Sequence, residues 1–327
     1  FFKLVYRAAG NDIFCLHRGP DGLLYGSSIL PEHFFRCDPT TGETIDLGRC
    51  SASTGEAYSM TNLDGSVYIA SYPGARVSVY DPSKPYRYGA GENANPRELG
   101  RVDDISYRPR SALAGPLGKV WFASIPDYGV WGGPLSWYDP ATGEKHSHYR
   151  IAGDASCYTL AHLSHENAIA VGTSINGGSG TTPKVERATL FLWDYNREEK
   201  LWEGSPDRPV SAFNALCAAA DGRLYCTVTG GDGPELIVFD PATRTFVGRM
   251  ALPAGRPLDN GLQTGPDGAL YGFTTSGVYR LDPGSGRIDT LLSREGEFSV
   301  AGPVIGNLLF YGREHELKTV ELFTGNE

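Results

Sequence analysis

Concentrated positive charge is missing from this sequence. Its 29 Lys and Arg against 38 Asp and Glu leave a formal charge of −9 at pH 7. No stretch gathers Lys or Arg into a run, so nucleic acid and an anionic membrane are excluded as partners, because phosphate binding needs a basic footprint. No apolar run approaches the roughly 20 residues that span a bilayer as a helix, and the chain reads as soluble. No signal-like stretch is visible, but the chain opens Phe1-Phe2-Lys3 without a methionine. An upstream leader or domain is compatible with that, so cytoplasmic and secreted locations both stay open. Asn-X-Ser/Thr acceptors are absent, which removes one hint of secretion. The six cysteines, at 15, 37, 50, 157, 217 and 226, fit neither a zinc spacing nor a small disulfide scaffold. Cys217 and Cys226 would face each other across a two-residue Asp221-Gly222 hairpin, where a disulfide is strained, so reduced thiols are expected. Nothing in the sequence speaks to oligomeric state.

What the chain has in quantity is turn residues: 42 glycines and 22 prolines spread over 327 positions, the composition of many short strands joined by tight turns. Two phrases recur in fixed order. One is a turn leading into a strand, as in Gly19-Pro-Asp-Gly-Leu-Leu-Tyr25, Leu63-Asp-Gly-Ser-Val-Tyr68, Gly115-Pro-Leu-Gly-Lys-Val-Trp121, Ala220-Asp-Gly-Arg-Leu-Tyr225 and Gly265-Pro-Asp-Gly-Ala-Leu-Tyr271. The other closes the next strand, as in Arg36-Cys-Asp-Pro-Thr-Thr-Gly42, Val79-Tyr-Asp-Pro82, Trp137-Tyr-Asp-Pro-Ala-Thr-Gly143, Val238-Phe-Asp-Pro-Ala-Thr243 and Arg280-Leu-Asp-Pro-Gly-Ser-Gly286. Asp-Gly suits a two-residue type I′ hairpin, and Asp-Pro-x-Thr-Gly supplies a second turn. Each unit therefore reads as a four-stranded antiparallel propeller blade. Six units run from about Asn11 to Glu295, and Phe298–Gly306, Leu308–Arg313 and Glu316–Phe323 give three strands of a seventh. The expectation is an all-β chain forming a single seven-bladed β-propeller domain over residues 1–327. Its ring would be closed by Phe2–Arg7 pairing with the C-terminal blade, which removes the open sheet edge.

This phrasing resembles seven-bladed propellers of the gluconolactonase, virginiamycin B lyase and YVTN-repeat type. The resemblance covers most of the chain and consists largely of turn chemistry, so it implies a fold and leaves the reaction open.

Function is expected on the face opposite the repeated turns, where the sequence is irregular. Counting seven residues back from each turn aspartate or its replacement reaches Phe14, Ala57, Arg110, Tyr158, Asn214 and Asn260, with Ser299 as a looser seventh. Just before them stand Glu56, Arg108 and Asp259. These positions start the innermost strands and should ring the channel mouth, where polar groups cost desolvation unless they bind each other, water or a ligand. Loops carrying Glu32 and His33, Tyr72 and Arg76, Tyr128 and Trp131, and Arg313 and His315 should hang over it. The longest loop, Asn176–Lys184, has the glycines of a phosphate loop without its Gly-Lys-Ser/Thr order. It reads as a lid or plain loop, and no nucleotide or organic cofactor is indicated. His146 and His148 share one face of an outer strand, where a solvated pair is the simpler reading and a metal pair the sharper one.

Three functions compete. β-Elimination on an anionic, uronate-containing sugar needs a cation at the carboxylate, a base for the α-proton and an acid at the leaving oxygen. Arg76, Arg108 and Arg110 suit the first role and His33, Tyr72, Tyr128 or Tyr158 the others, with Trp131, Asn214, Arg313 and His315 as further contacts to a small molecule or oligosaccharide. Virginiamycin B lyase, an eliminating enzyme, lends this reading its scaffold. The gluconolactonase resemblance implies instead a metal-dependent lactonase or hydrolase. Asp259-Asn260-Gly261-Leu262 with Pro266-Asp267-Gly268 is similar to that family's cation-binding segment, which points to Glu56, Asn214, Asp259 and Asn260 as Ca²⁺ or Mg²⁺ ligands. A guanidinium at Arg110 opposes that reading. The third function is non-catalytic binding of a peptide, glycan or protein through Tyr72, Tyr128 and Trp131.

Overall fold

The computed structural model describes residues 10–231 and 233–322. They are all-β, and short antiparallel meanders follow one another along the chain. Ile13–Arg18, Leu24–Ser28, Phe34–Cys37 and Thr44–Gly48 make the first sheet. Further four-stranded meanders begin at Glu56–Leu63, Ser106–Ala114, Ser156–Leu163, Ala212–Ala218 and Pro257–Thr264, the fourth and fifth of the chain being joined into one eight-stranded sheet by the single pairing of Ser174 with Ala212. Val300–Ile305, Leu308–Arg313 and Glu316–Glu321 form a three-stranded sheet at the end. The first strand of each sheet packs against the first strands of its neighbours, and Val300–Ile305 packs against both Pro257–Thr264 and Ile13–Arg18. This is a β-propeller, with the first strands innermost. The expected closing strand Phe2–Arg7, and Phe323, lie outside the described residues.

The repeated turns are of two kinds. Asp64 and Gly65 both take positive φ, 49° and 76°, and Leu63 pairs with Ser66, which is the expected two-residue hairpin. In the Gly-Pro-Asp-Gly version, five residues separate the paired Arg18 and Leu24. There Gly22 donates its N–H to the Gly19 carbonyl (3.1 Å) and the glycine alone is left-handed, at φ 83°. The turns at Gly222 and Gly268 repeat this bond. Their aspartate is chosen for its side chain: one oxygen accepts from the N–H two residues on, and the other from the hydroxyl of Tyr25, Tyr225 or Tyr271, four residues on, at 2.7, 2.8 and 3.1 Å. This corrects the two-residue expectation at Asp221-Gly222. Cys217 pairs with Tyr225 and Cys226 with Leu216, so the two thiols point to opposite faces, and all six cysteines are free. In the second turn, Asp38 accepts the Thr40 N–H on its carboxylate (2.8 Å) and the Gly42 N–H on its carbonyl (2.8 Å).

Sheets stack face to face, so the second strands are covered on both sides and read as largely apolar runs. Every residue of Ala168–Ser174 and of Leu24–Ser28 is buried, whereas no residue of Thr44–Gly48 on the rim is. Between the first two sheets Phe34 stacks on Tyr25 (5.4 Å) and meets Tyr80 edge-on (5.2 Å). Each such fully buried ring contributes about 1.5–3 kcal/mol. This packing fixes where the inner strands, and hence the channel, lie.

Candidate functional site at the channel mouth

Each innermost strand loses ladder register near its start. The breaks fall between Ile13 and Cys15, Ala57 and Ser59, Pro109 and Ser111, Cys157 and Thr159, Phe213 and Ala215, Pro257 and Leu262, and Ala301 and Val304. A β-bulge leaves one residue unpaired and re-aims its side chain. The residues so released are Phe14, Tyr58, Arg110, Tyr158 and Asn214, then a longer stretch holding Asp259 and Asn260, and finally Gly302 and Pro303. The sequence count lands on the bulge in the first, third, fourth and fifth sheets. In the second it gives Ala57 where the bulged residue is Tyr58, because the two-residue Asp64-Gly65 turn is shorter than the turn used to set the count. Ser299 is not the seventh member; its hydroxyl donates to the Gly312 carbonyl (2.8 Å).

Four of these side chains from four different strands converge. Asp259 accepts from the Arg110 guanidinium, from the Tyr158 hydroxyl (3.0 Å) and from the Asn214 amide (2.8 Å). Arg110 also reaches the Tyr158 hydroxyl (2.7 Å) and lies over the rings of Tyr58 and Tyr158 at 5.0 and 4.8 Å. Thr229 donates to the Asn214 carbonyl (2.6 Å), and Asn260, at φ 52°, donates its amide to the Arg110 carbonyl (2.8 Å) across the channel. Burial works against the Arg110 charge, but Asp259 and the two tyrosines outweigh it and hold the guanidinium protonated. Burial likewise raises the Tyr158 and Tyr58 hydroxyls above the usual tyrosine range. Cavities of about 400 and 290 Å³ lie above and below this rung and share Phe14, Tyr58, Asp259 and Asn260 in their walls.

A second cluster sits beside the first on the loop side. Arg108 stands against the rings of Tyr72, Tyr107 and Tyr128 at 4.7, 5.6 and 5.2 Å and donates to the Tyr128 hydroxyl (3.3 Å). The Tyr72 and Tyr128 hydroxyls are 3.2 Å apart. Their shared hydrogen bond, with some burial, pushes Tyr72 up to about 12, while the bonds from Tyr72 and Arg108 lower Tyr128. Glu56 is buried nearby within the field of Arg108 and Arg110; burial raises its pKa above the usual carboxylate range. Its Oε2 and the Arg108 Nη1 are buried without a hydrogen-bond partner. Tyr58 joins the two clusters, meeting Tyr72 edge-on at 6.1 Å.

Other expected site residues lie elsewhere. Arg76 is turned outward onto Glu98 (3.2 Å), and Arg313 onto Glu297 (3.2 Å). His33 pairs with Asp46 (2.8 Å) and shares a groove of about 270 Å³ with His315, between the first and last sheets rather than at the mouth. Glu32 is buried and accepts from Ser51 (2.7 Å) and Cys50 (3.1 Å). Trp131 donates to the Thr182 carbonyl (2.9 Å) and lies under Lys184, 3.5 Å from the ring centre. Among the expected cation ligands Glu56, Asn214, Asp259 and Asn260, Asp259 faces the Arg110 guanidinium, the Asn214 oxygen accepts from Thr229 and the Asn260 Nδ2 donates to the Arg110 carbonyl. A guanidinium within the set opposes a divalent cation there.

The loop at Asn176–Lys184 is stapled to the loop that carries Tyr128. Gly178 donates to the Val130 carbonyl (2.8 Å), and Gly129 to that of Ser179 (3.0 Å). A Cβ on Gly178 would stand 1.8 Å from the Asp127 carbonyl oxygen. Gly178→Ala is therefore expected to release the loop, read as new proteolytic cleavage within residues 176–184 while the midpoint of global unfolding changes little. Protection equal to that of the parent protein would contradict this packing.

Sequence reasoning missed Tyr58, Tyr107 and Thr229. Tyr58 was one residue from a counted position; the other two lie on no repeat and had no signal.

No protein-family model matches the sequence, and no curated protein matches it. Solved structures do. The chain is similar to hydrazine synthase of Kuenenia stuttgartiensis over 97% of each chain, with a TM-score of 0.74 and 13% identity. It is similar to a catalytically inactive virginiamycin B lyase of Staphylococcus aureus, solved with quinupristin, over 94% of each chain, with a TM-score of 0.68 and 12% identity. A third similar structure is the extracellular domain of a protein assigned as a one-component system of B. thetaiotaomicron, with a TM-score of 0.64 and 15% identity over 95% of this chain and 38% of that one. At these identities the likeness is one of fold: a β-propeller of the virginiamycin B lyase type.

Proposed function

We propose that the chain is a seven-bladed propeller enzyme that β-eliminates an anionic, uronate-containing sugar at the channel mouth. Six successive four-stranded meanders, two of them joined by one bridge, and the three-stranded sheet packed between the sixth and the first support the blade count. The observation that carries the chemistry is the Tyr72–Tyr128 pair, whose hydroxyls are 3.2 Å apart and of which Tyr128 receives the Arg108 N–H (3.3 Å), favouring Tyr128 as the base and leaving Tyr72 as the acid.

The Arg108 guanidinium, with Nη1 unpaired, takes the substrate carboxylate and draws charge from the adjacent carbon. Tyr128 as phenolate removes the α-proton. The β C–O bond breaks with its electron pair leaving on oxygen, and Tyr72 supplies the proton that oxygen needs. The products are an unsaturated uronate and a sugar with a free hydroxyl, and no redox partner is required. Arg110, Tyr158, Asn214 and Asp259 form a prebuilt polar floor.

The test is incubation with oligouronides while following the absorbance of the conjugated product. Appearance of that product at a rate proportional to enzyme supports the reading. Binding of oligouronide without product would leave a carbohydrate-binding propeller, and neither binding nor product would remove this substrate class.

A further inference from the structure

Away from the channel, the rim between the third and fourth sheets brings together three groups that the mouth does not use. His146 and His148 alternate on the outer strand Lys145–His148 and so share a face. Glu198 reaches them from the turn between Leu190–Asp194 and Glu199–Gly204. One ligand atom from each lies within 4.8 Å of the others, the one such trio of His, Cys, Asp or Glu among the described residues. His148 Nε2 is buried with no hydrogen-bond partner, 3.7 Å from Glu198 Oε2. A merely solvated histidine pair would turn that nitrogen to water.

The surroundings hold the trio in place. Trp137 donates its indole N–H to Glu198 Oε1 (3.1 Å), which fixes the carboxylate and leaves Oε2 toward the histidine. His148 packs on Trp193 (4.7 Å) and edge-on against His146 (4.6 Å), and His146 packs on Trp137 (5.6 Å). Glu198 sits at φ 55°, in the left-handed region that disfavours a glutamate. Lys119, 3.3 Å above the Trp137 ring centre, is the opposing positive charge.

We propose that His146, His148 and Glu198 form a binding site for a divalent transition-metal ion of the Zn²⁺ class, clamping the outer strand of the third sheet to the fourth. Two imidazoles and a carboxylate suit such an ion and not Ca²⁺ or Mg²⁺. Tetrahedral ligands about 2.1 Å from a metal stand about 3.4 Å apart, so the trio closes on an ion by movements on the order of 1 Å. With three protein ligands, the fourth position goes to water. Burial lowers the His148 pKa, which keeps its lone pair available at neutral pH.

The full chain, stripped with a chelator, is titrated with Zn²⁺ by calorimetry and with Cu²⁺ by tryptophan fluorescence, since Trp137 and Trp193 flank the site. One saturating ion per chain, a rise in melting temperature with Zn²⁺ but not Mg²⁺, and quenching by Cu²⁺ are expected. His148→Ala and Glu198→Gln should each weaken binding by about 100-fold or more, because losing even a supporting partner costs 10–100-fold; His33→Ala should not. Glu198→Gln keeps an acceptor for Trp137 and decides the matter if His148→Ala fails to fold. Absence of saturable binding, or stoichiometric binding that survives both substitutions, would overturn the site.

Discussion

Arg110→Met is expected to destabilise the protein by about 2 kcal/mol, less than the ~3–5 kcal/mol for removing one partner of a fully buried ion pair, because Arg110 and Asp259 are part-exposed to the channel. The change leaves Asp259 with only the Tyr158 hydroxyl and the Asn214 amide, neither of which carries compensating charge. The loss comes mainly from the stranded carboxylate and not from the absent arginine, so a second change should repair it. Arg110→Met with Asp259→Leu is expected to recover most of the stability, making the pair strongly non-additive in urea denaturation. Equal stability of the parent and Arg110→Met, or simple additivity, would show that the bond across the channel is not formed in solution. The double variant should fold and fail to bind oligouronide, which separates the floor's part in recognition from its part in stability.

Loss of the Tyr128 hydroxyl has the largest expected effect on turnover. Tyr128→Phe should lower kcat by about 10²–10⁴-fold, the range for removing a positioned acid or base, with little change in melting temperature because the residue is exposed. The pH profile carries more information than the loss. A base acts deprotonated, so kcat/KM should rise with pH through the lowered Tyr128 pKa, below the ordinary tyrosine value of about 10. It should fall again as Tyr72, pushed up to about 12, loses the proton it must donate. Arg108 is one of the groups holding Tyr128 down, and Arg108→Gln should move the rising limb to higher pH as well as weaken substrate binding. A limb that stays in place in Arg108→Gln would assign the base to another residue, with buried Glu56 next in line.

Much of the scaffold is legible in the sequence because its signals are local. An aspartate that must cap a turn and receive a tyrosine hydroxyl four residues later writes itself as Asp-Gly-x-Leu-Tyr. A strand covered on both faces writes itself as an apolar run such as Ala168–Ser174. The bulged positions Arg110, Tyr158 and Asn214 were also reachable, since they stand a fixed count from those turns. Tyr58 was displaced by one residue because turn length, a backbone property, varies under the same Asp-Gly letters.

What the tertiary structure alone decided is pairing across the channel. Arg110 and Asp259 are 149 positions apart, and nothing near either residue says that they meet. That depends on how the sheets are arranged around the axis. The outward turn of Arg76 onto Glu98, the placement of His33 and His315 in a peripheral groove, and the arrival of Glu198 beside His146 and His148 depend on it equally. Local chemistry thus set the blades and the positions that open onto the channel. The packing of sheet against sheet, which sums weak contacts over the whole chain, chose which of those side chains become partners.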